Sequence, residues 1–256
     1  MQKNPDDVFL SLVIPVYNEE GCIAETCEAI ISHLHAAGIP RYELLVVNDG
    51  SQDRTGEILR ELELKHPEMR HVDNPAPHGY GYAVRKGLEH YRGDAVAIVM
   101  GDLSDSPEDI LAYYRELQKG AECVFGSRFM KGSRLVDYPQ HKFVLNRMAN
   151  LFIQMLFRHG LNDTTNAFKA YRREVIDGIQ PLLSAHFNLT VEMPLKAVVR
   201  GYSYVTIPIS WTNRKSGVSK LKIKEMGGRY LFIVLYLWLE KVLSRGDYKR
   251  TSEQRG

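Results

Sequence analysis

Cysteine is scarce in this chain, with three residues among 256. Cys22, Cys27 and Cys123 are too few and too scattered to form a disulfide framework or a metal cluster. We therefore expect reduced, buried thiols, as is typical of a cytosolic protein.

An excess of charge of one sign is also lacking, because 33 Lys and Arg residues face 31 Asp and Glu residues, for a net charge of +2. This balance gives no electrostatic argument for a nucleic-acid partner, and we expect none. The basic residues are nevertheless uneven and crowd the last fifth of the chain, between Lys215 and Arg250. Such crowding indicates either an anionic partner or a solvated basic tail.

Long apolar runs are missing as well. The longest, Tyr230–Leu239, has about ten residues, whereas a membrane-spanning helix needs roughly twenty. As a helix, this stretch would carry apolar side chains around most of its circumference from Tyr230 to Leu239, between basic flanks. Two interpretations stay open: the helix packs on the rest of the chain or on a partner subunit, or it lies in a membrane interface.

What the chain does have is a regular alternation of apolar strands and amphipathic helices in its first half. We predict strands over 8–16, 42–47, 70–74, 95–100 and 122–126, with helices over 19–37, 53–65, 82–91 and 107–119 between them. Apolar strands separated by helices predict an α/β fold, a mostly parallel sheet with helices on both faces. The second half adds predicted helices over 142–157, 189–200 and 221–243, and strands over 166–171 and 204–209.

Polar residues cluster where the strands end: PVYNE follows the first strand, NDGS the second, GDLSD the fourth and GSRF the fifth. In a parallel sheet these ends share one edge, where ligands bind. They bring four carboxylates to it, from Glu19, Asp49, Asp102 and Asp105. Mg²⁺ and Mn²⁺ take one or two carboxylates and complete their shell with substrate phosphates. The pattern predicts a metal-diphosphate site at GDLSD and a ribose or base contact at Asp49.

Two common nucleotide-binding classes are disfavoured. The chain has no GxxxxGK[ST] segment, so it is not a P-loop protein. After the first strand, residues 17–20 read YNEE where a dinucleotide-binding fold needs glycines.

Seven motifs occur in a characteristic order: PVYNEE (15–20), NDGSQDRT (48–55), HGYGYAVRKG (78–87), GDLSDSPED (101–109), GSRF (126–129), DTTNAFKAYRR (163–173) and RKSGVSKLK (214–222). Over roughly residues 9–225 the chain resembles a family 2 glycosyltransferase of the dolichyl- or polyprenyl-phosphate sugar synthase type. The resemblance implies a GT-A fold, a nucleotide-sugar donor of the GDP-mannose or UDP-glucose type, Mg²⁺ or Mn²⁺ as cofactor, and inverting transfer to a polyprenyl or dolichyl phosphate. We divide the chain into a catalytic domain over 1–220 and a C-terminal amphipathic helix with a basic tail over 221–256.

The resemblance also implies roles for individual residues. Asp102 is the implied metal ligand and Arg128 the residue that meets the acceptor phosphate. The nucleotide-binding positions are Pro15, Tyr17, Glu19, Val47 and Asp49, and those for donor or acceptor phosphates are Arg214, Ser219 and Lys220.

Four positions depart from the family pattern. Met100 stands where the family usually has an Asp, and Ser104 where it usually has a Gln metal ligand; Asp105 is the residue that would compensate. Lys142 and Asn146 stand where the family has an Arg and a Ser for the lipid phosphate. A cation is kept at 142, without the bidentate fork of Arg.

The choice of acceptor depends on Asp163, which we count as a catalytic candidate beside Asp102 and Arg128. A phosphate acceptor is already ionised and needs no general base, whereas a hydroxyl acceptor needs one, and Asp163 is the candidate. Asp163 could instead cap the next element or orient Arg128. A non-catalytic nucleotide-sugar-binding protein also stays open. A lipid acceptor predicts a cytoplasmic protein, peripheral at the cytoplasmic face of the membrane, alone or with a membrane partner subunit.

Overall fold

Strands and helices alternate along the chain in the computed structural model, which describes residues 8–213 and 223–250. All five strands and four helices predicted for the first half are present. The strands are β1 (Leu10–Val16), β2 (Tyr42–Asn48), β3 (Met69–Asp73), β4 (Ala95–Ile98), β5 (Cys123–Ser127), β6 (Arg134–Val136), β7 (Lys169–Arg172), β8 (Tyr204–Pro208) and β9 (Ser210–Thr212). The helices are α1 (Ile23–Ala36), α2 (Thr55–Lys65), α3 (Tyr80–His90), α4 (Pro107–Gln118), α5 (Gln140–Phe157), α6 (Arg173–Gly178), α7 (Leu189–Val199) and α8 (Ile223–Leu243).

Seven strands form the main sheet, in the order β3-β2-β1-β4-β7-β5-β8. The pairs β1–β2, β1–β4, β2–β3 and β5–β8 are parallel, and β7 runs antiparallel between β4 and β5. The predicted mostly parallel α/β sheet is confirmed. Strands β6 and β9 form a second, two-stranded sheet that the sequence did not predict.

Both faces of the main sheet are buried, because side chains along a strand alternate between the two faces. In β1, Leu12 and Ile14 belong to the cluster that includes α1, α2 and α4, whereas Val13 belongs to the cluster that includes α3, α6 and α7. All three side chains are fully buried. Each contributes about 1.5–3 kcal/mol of hydrophobic free energy, which is why the strand is apolar on both faces apart from Ser11.

Helix α8 packs against α7 and α5. Ile233 and Leu237 are fully buried in a third hydrophobic cluster with Leu195 of α7 and Phe157 of α5. The helix also carries exposed apolar side chains, at Leu231, Phe232, Leu235, Tyr236 and Leu239. One side of α8 is therefore part of the core, and another is apolar and open to solvent. None of the helices in the described ranges has the length and apolar character needed to cross a membrane.

The segment after α8 returns to the start of β5. The Arg250 amide donates to the Arg200 carbonyl (3.1 Å), and its guanidinium pairs with Glu122 and lies 4.7 Å from the centre of the Tyr202 ring. Arg200 forms a buried ion pair with Glu240 near the end of α8 (3.1 Å). These contacts attach the C-terminal end of α8 to the edge of the main sheet.

Glycines in the HGYGYAVRKG segment permit close packing. A Cβ on Gly81 would lie 2.3 Å from the Ser184 carbonyl oxygen, and one on Gly87 would lie 2.4 Å from Cγ1 of Val13. Gly79 has φ +150° and would place a Cβ 2.7 Å from the Ala185 carbonyl oxygen. Helix α3 therefore needs these glycines to approach the sheet and the 184–186 main chain.

Candidate active site

The loops that follow β1 and β2 are joined by reciprocal hydrogen bonds between main chain and side chains. The bonds run from Asn18 N to Ser51 Oγ (3.0 Å), Gln52 N to Asn18 Oδ1 (2.8 Å), Glu20 N to Asp53 Oδ2 (3.2 Å), Arg54 N to Glu20 Oε2 (2.9 Å) and Glu19 N to Thr55 Oγ1 (2.9 Å). Many of the polar side chains of PVYNEE and NDGSQDRT thus satisfy each other's backbone groups. Tyr17, at 39% exposed, and half-buried Glu19 lie within this rigid rim.

Asp49 organises a third loop. Its Oδ1 accepts hydrogen bonds from Asn74 Nδ2 (2.7 Å) and lies 3.2 Å from His78 Nδ1, while its Oδ2 accepts the Gly79 amide (2.8 Å). Gly50 has φ +72°, a main-chain conformation that favours glycine, and a Cβ there would also lie 2.5 Å from the His78 ring. Asp49 therefore holds the 74–79 loop against the end of β2.

The predicted base-binding positions on the strands are neighbours. Pro15 of β1 pairs in register with Val47 of β2, and both are buried. They lie directly before the loops that Tyr17, Glu19 and Asp49 occupy, so these five positions share one edge of the sheet.

Two buried carboxylates follow β4. Asp102 and Asp105 are each 7% exposed, and Ser104 is 4% exposed. The Ser104 amide donates to Asp102 Oδ1 (3.1 Å), and the Met100 amide donates to Asp105 Oδ2 (3.0 Å). Burial raises the pKa of Asp105 to about 7, and the neighbouring negative charge of Asp102 adds to the rise. Met100 thus contributes an N–H group at the position where the resemblance would place a carboxylate.

Arg128 and Asp163 form a buried bidentate ion pair. Arg128 Nε donates to Asp163 Oδ2 and Nη2 to Oδ1, both at 2.8 Å, and the Arg128 amide also donates to Oδ2 (2.9 Å). Asp163 is fully buried, and it holds the pKa of Arg128 above its usual value against the opposing effect of burial. Both oxygens of Asp163 are therefore engaged in orienting Arg128.

Lys169 is a charged residue of the site that the sequence reasoning missed. It is 1% exposed, and its Nζ donates to the carbonyl oxygens of Thr164 (3.0 Å), Asn166 and Thr190 (3.3 Å). Burial lowers the pKa of Lys169 to about 7, and the neighbouring Asp163 opposes this shift. Lys169 ties the 164–166 turn to α7. A lysine inside the apolar strand pattern AFKAY was the signal that could have identified it.

An aromatic group connects the strand ends to α5. Trp211, whose main chain bridges Asp105, lies edge-on to Tyr138 with 4.9 Å between ring centres. The Tyr138 hydroxyl accepts a hydrogen bond from Asn146 Nδ2 on α5. Half-buried Lys142 lies one turn earlier on the same helix. Asn146 is thereby connected to the carboxylate loop, although it lies far along the chain.

Helix α8 also reaches the wall of the site. Its Tyr230 hydroxyl donates to the Phe187 carbonyl (3.1 Å), and the Phe187 ring stacks on Tyr80 at the start of α3 (4.4 Å). Burial raises the pKa of Tyr80, and so does the charge of nearby Asp105. The remaining predicted residues, Arg214, Ser219 and Lys220, lie outside the described residues.

The donor set at Asp102 and Asp105 fits a divalent cation. Two buried, mutually repelling carboxylates are stabilised by such a charge, and Mg²⁺ or Mn²⁺ typically uses one or two carboxylates and obtains other oxygens from substrate phosphates. Within residues 8–213 and 223–250, no three His, Cys, Asp or Glu side chains are grouped to hold a metal on their own. Oxygens from a substrate would therefore be needed.

A mostly parallel sheet with acidic and basic loops at the carboxyl ends of its strands defines a GT-A-like α/β fold. Solved structures agree: glucosyl-3-phosphoglycerate synthase from Mycobacterium tuberculosis, crystallised with Mn²⁺, UDP-glucose and phosphoglyceric acid, superposes with a TM-score of 0.68 at 18% identity, covering 91% of this chain and 79% of that one. The complex of the same synthase with UDP gives a TM-score of 0.67 over 91% of this chain and 80% of that chain.

The chain belongs to glycosyl transferase family 2, whose model matches residues 11–179. It is therefore a glycosyltransferase. It is 33% identical over 216 residues to polyprenol monophosphomannose synthase of Mycolicibacterium smegmatis, covering 82% of this chain and 80% of that protein. It is 29% identical over 217 residues to dolichol-phosphate mannosyltransferase of Pyrococcus furiosus, covering 84% of this chain and 60% of the relative.

Proposed function

We propose that this chain is an inverting, metal-dependent glycosyltransferase that moves a hexose from a nucleotide sugar, of the GDP-mannose or UDP-glucose type, to a polyprenyl or dolichyl phosphate. The observation that carries the proposal is the bidentate engagement of Asp163 by Arg128. A carboxylate bound at both oxygens is a poor general base, so an acceptor that is already ionised is favoured over a hydroxyl. The named sugar-phosphate synthases among the relatives support the same acceptor.

The donor would lie along the carboxyl ends of β1, β2 and β4. Pro15, Tyr17, Glu19, Val47 and Asp49 would contact the base and ribose, and Arg214, Ser219 and Lys220 the phosphates. Asp102 and Asp105, with the Ser104 hydroxyl beside them, would hold Mg²⁺ or Mn²⁺, which when bound neutralises charge on the departing nucleoside diphosphate. The Mn²⁺ complex of the structural neighbour supports a divalent cation.

The acceptor phosphate would lie on the side of Arg128 and α5. Arg128 and Lys142 would hold the phosphate in line with the anomeric carbon, on the face opposite the departing diphosphate, which inverts the configuration. Asp163 would act on the acceptor indirectly, because it orients the Arg128 guanidinium. Positioning of two ionised reactants is then the main contribution of these residues, and no proton needs to be removed from the acceptor.

A transfer assay tests this function. Purified protein is mixed with Mg²⁺ or Mn²⁺, a polyprenyl phosphate, and radiolabelled UDP- and GDP-sugars, and the label is followed into the organic phase. We expect a metal-dependent, lipid-soluble product that Asp102→Ala abolishes. Asp247→Ala, an exposed acidic position after α8, serves as the matched control and should retain full transfer. Label that stays in the aqueous phase with bound donor would contradict a lipid acceptor and favour a hydroxyl acceptor.

We further infer that the protein acts at the cytoplasmic face of a membrane. Helices α5 and α8, which pack on each other, carry exposed apolar side chains. On α5 these include Val144, Leu145, Leu151, Phe152 and Met155. An apolar surface of this kind marks a membrane or protein interaction site. Coverage of the same surface by a membrane partner subunit is the alternative.

A further inference from the structure

Arg147, in the middle of α5, has a buried nitrogen with no hydrogen-bond partner. Its Nη1 is shielded from solvent and, among the described residues, meets no acceptor. The guanidinium carbon lies 5.0 Å from the centre of the Phe129 ring. Buried charged donors are normally hydrogen-bonded, because a buried donor without an acceptor costs more free energy than a typical hydrogen bond contributes. The Nη1 group of Arg147 is therefore a donor that an anionic ligand could engage.

The neighbouring cation, Arg128, is already paired with a carboxylate. The guanidinium carbon of Arg128 lies 5.3 Å from the centre of the same Phe129 ring, so the two guanidinium groups are neighbours at this ring. Arg128, however, gives Nε and Nη2 to Asp163, which compensates its charge. Arg147 therefore carries the less compensated positive charge beside this ring.

Helix α5 is fixed in the register that brings Arg147 to this place. Asn150, three residues further along, donates from Nδ2 to Thr165 Oγ1 (3.1 Å) and accepts the Thr165 amide on Oδ1 (3.3 Å). Phe143, four residues before Arg147, packs edge-on against Phe129 (5.5 Å). Positions 143, 147 and 150 lie on one face of a helix, and here that face meets the Arg128 loop.

We propose that Arg147 binds the phosphate monoester of the acceptor, next to Arg128. This inference rests on the proposed function. The α5 positions that the resemblance assigns to the lipid phosphate are weakened here: Asn146 is uncharged and donates from Nδ2 to the Tyr138 hydroxyl, and Lys142 lacks a planar fork. Arg147 supplies the planar, permanently charged donor that suits a phosphate.

The arrangement also separates the two ends of a prenyl phosphate. Arg147 lies where the face of α5 that meets the Arg128 loop borders an exposed apolar surface, which includes Val144, Leu151 and Met155 of the same helix. A phosphate at Arg147 would place the prenyl chain close to this apolar surface. Arg147 thus recognises the charged end, and its contribution is to acceptor affinity rather than to donor binding.

Binding measurements with wild-type protein and two matched variants test the proposal. Arg147→Gln removes the charge, and Arg158→Gln makes the same change at the exposed end of α5. The probes are farnesyl phosphate, inorganic phosphate, and UDP or GDP with Mn²⁺. We expect Arg147→Gln to weaken farnesyl phosphate binding roughly 10- to 100-fold, as loss of a charge-assisted hydrogen bond predicts, and to leave nucleotide binding unchanged. Arg158→Gln should bind all probes as the wild type does.

The probes distinguish the sources of the phosphate. Weakening of both farnesyl phosphate and inorganic phosphate supports a site for the phosphate group itself, with the prenyl chain adding affinity. Weakening of UDP or GDP alone would overturn the proposal, because Arg147 would then contact the donor. Equal farnesyl phosphate affinity in the wild type and Arg147→Gln would also overturn it.

Arg147→Lys is the control for a folding defect in Arg147→Gln. This variant keeps the charge and the aliphatic stem, so it should retain the wild-type unfolding midpoint in urea and recover part of the farnesyl phosphate affinity that Arg147→Gln loses. No recovery in a folded Arg147→Lys protein, with the affinity of Arg147→Gln, would count against a charge-based role. The transfer assay on wild-type protein tests the proposed function separately. If no lipid-soluble product forms but Arg147→Gln still weakens farnesyl phosphate binding, the proposed function is wrong and the phosphate site at Arg147 is supported.

Discussion

Arg128 and Asp163 depend on each other, because both are buried and both carry a charge. Replacing Asp163 with Asn keeps the shape of the side chain but leaves the Arg128 guanidinium without its counter-charge. We expect Asp163→Asn to lower the free energy of unfolding by about 3 kcal/mol, as measured by urea denaturation. Removing both charges in Arg128→Met/Asp163→Leu should cost less than the two single changes together, since no unpaired charge then remains.

The control for this prediction is an exposed ion pair. Arg54, which directly precedes α2, and Glu57 of α2 are 3.2 Å apart and largely solvent-exposed, so Glu57→Gln should change stability by less than about 1 kcal/mol. Additive effects of Arg128→Met and Asp163→Leu would contradict a coupled pair.

Individual residues were predictable from the sequence to different degrees. Asp102 and Arg128 could be singled out because each directly follows an apolar strand, and strand ends of a parallel sheet share one edge. Lys169 offered one signal, a lysine inside an apolar strand pattern, but the carbonyl groups that it contacts are known only from the fold. Arg147 could not be singled out, because its importance depends on which ring folds against it. Asp163 lies between these cases: its motif attracted attention, but only the folded chain shows that Arg128 occupies both of its oxygens.

At the scale of helices, α3 gives a test of close packing. Gly81→Ala would put a Cβ against the Ser184 carbonyl, a rigid main-chain neighbour, at 2.3 Å. We expect a loss of roughly 1–3 kcal/mol in urea unfolding, in spite of the higher helix propensity of Ala. Gly228→Ala in α8, where a Cβ meets nothing within 4 Å, is the matched control and should gain up to about 1 kcal/mol. A neutral Gly81→Ala would show that α3 can move away from the 184–186 chain.

The junction of α5 and α8 predicts a dependence of stability on pH. His159 follows α5, and burial, with Lys241 of α8 nearby, lowers its pKa from 6.5 to about 4. Because the unfolded chain binds this proton more readily, the folded state loses stability as the pH falls from about 6.5 towards 4. Between pH 7 and pH 5 the loss amounts to about 2 kcal/mol.

His159→Asn is the variant that isolates this effect. Its side-chain oxygen can replace the Nδ1 acceptor of the Leu161 amide, but it does not titrate. Urea unfolding at both pH values should give a wild-type loss that exceeds the loss in His159→Asn by about 2 kcal/mol. Identical pH dependence in the two proteins would contradict the assignment to His159.

Secondary structure was predictable where local pattern and burial agree. The parallel strands were identified because both of their faces are buried and their apolar runs are continuous. The antiparallel direction of β7 and the pairing of β6 with β9 were not, because these depend on partners far away in the sequence. Ser106 occupies the N-cap position of α4 but makes no capping hydrogen bond, and its hydroxyl donates to Glu108 instead.

On the scale of the whole molecule, the exposed faces of α5 and α8 predict binding to lipid vesicles. Leu151→Asp on α5 or Phe232→Asp on α8, at positions 57% and 63% exposed, should each weaken sedimentation with anionic vesicles by at least about tenfold, because an apolar contact is replaced by a repelled charge. Leu64→Asp on α2, at an equally apolar position 89% exposed, should have no effect. Unchanged binding in the first two variants would favour a protein partner at this surface.

The division into residues 1–220 and 221–256 stays a prediction, and the packing of α8 bears on how it is understood. Ile233, Val234 and Leu237 complete a cluster with α5 and α7, and Arg250 returns to Glu122 beside β5. Apolar runs in the sequence indicated that this helix exists, but not which of its sides would be covered, since its residues are apolar nearly all round.

The position of β7 has a consequence for how the chain is made. Strand β5 is paired only with β7 and β8 among the described residues, and both come later in the chain. On the ribosome, β1 to β4 can assemble as soon as residue 98 has emerged, whereas β5 keeps two unpaired edges until β7 follows. Over that interval an apolar strand is open to pairing with other chains. Slow synthesis between β5 and β7 would therefore favour aggregation of the nascent protein more than a pause before β5, when β4 alone has one edge waiting for β7.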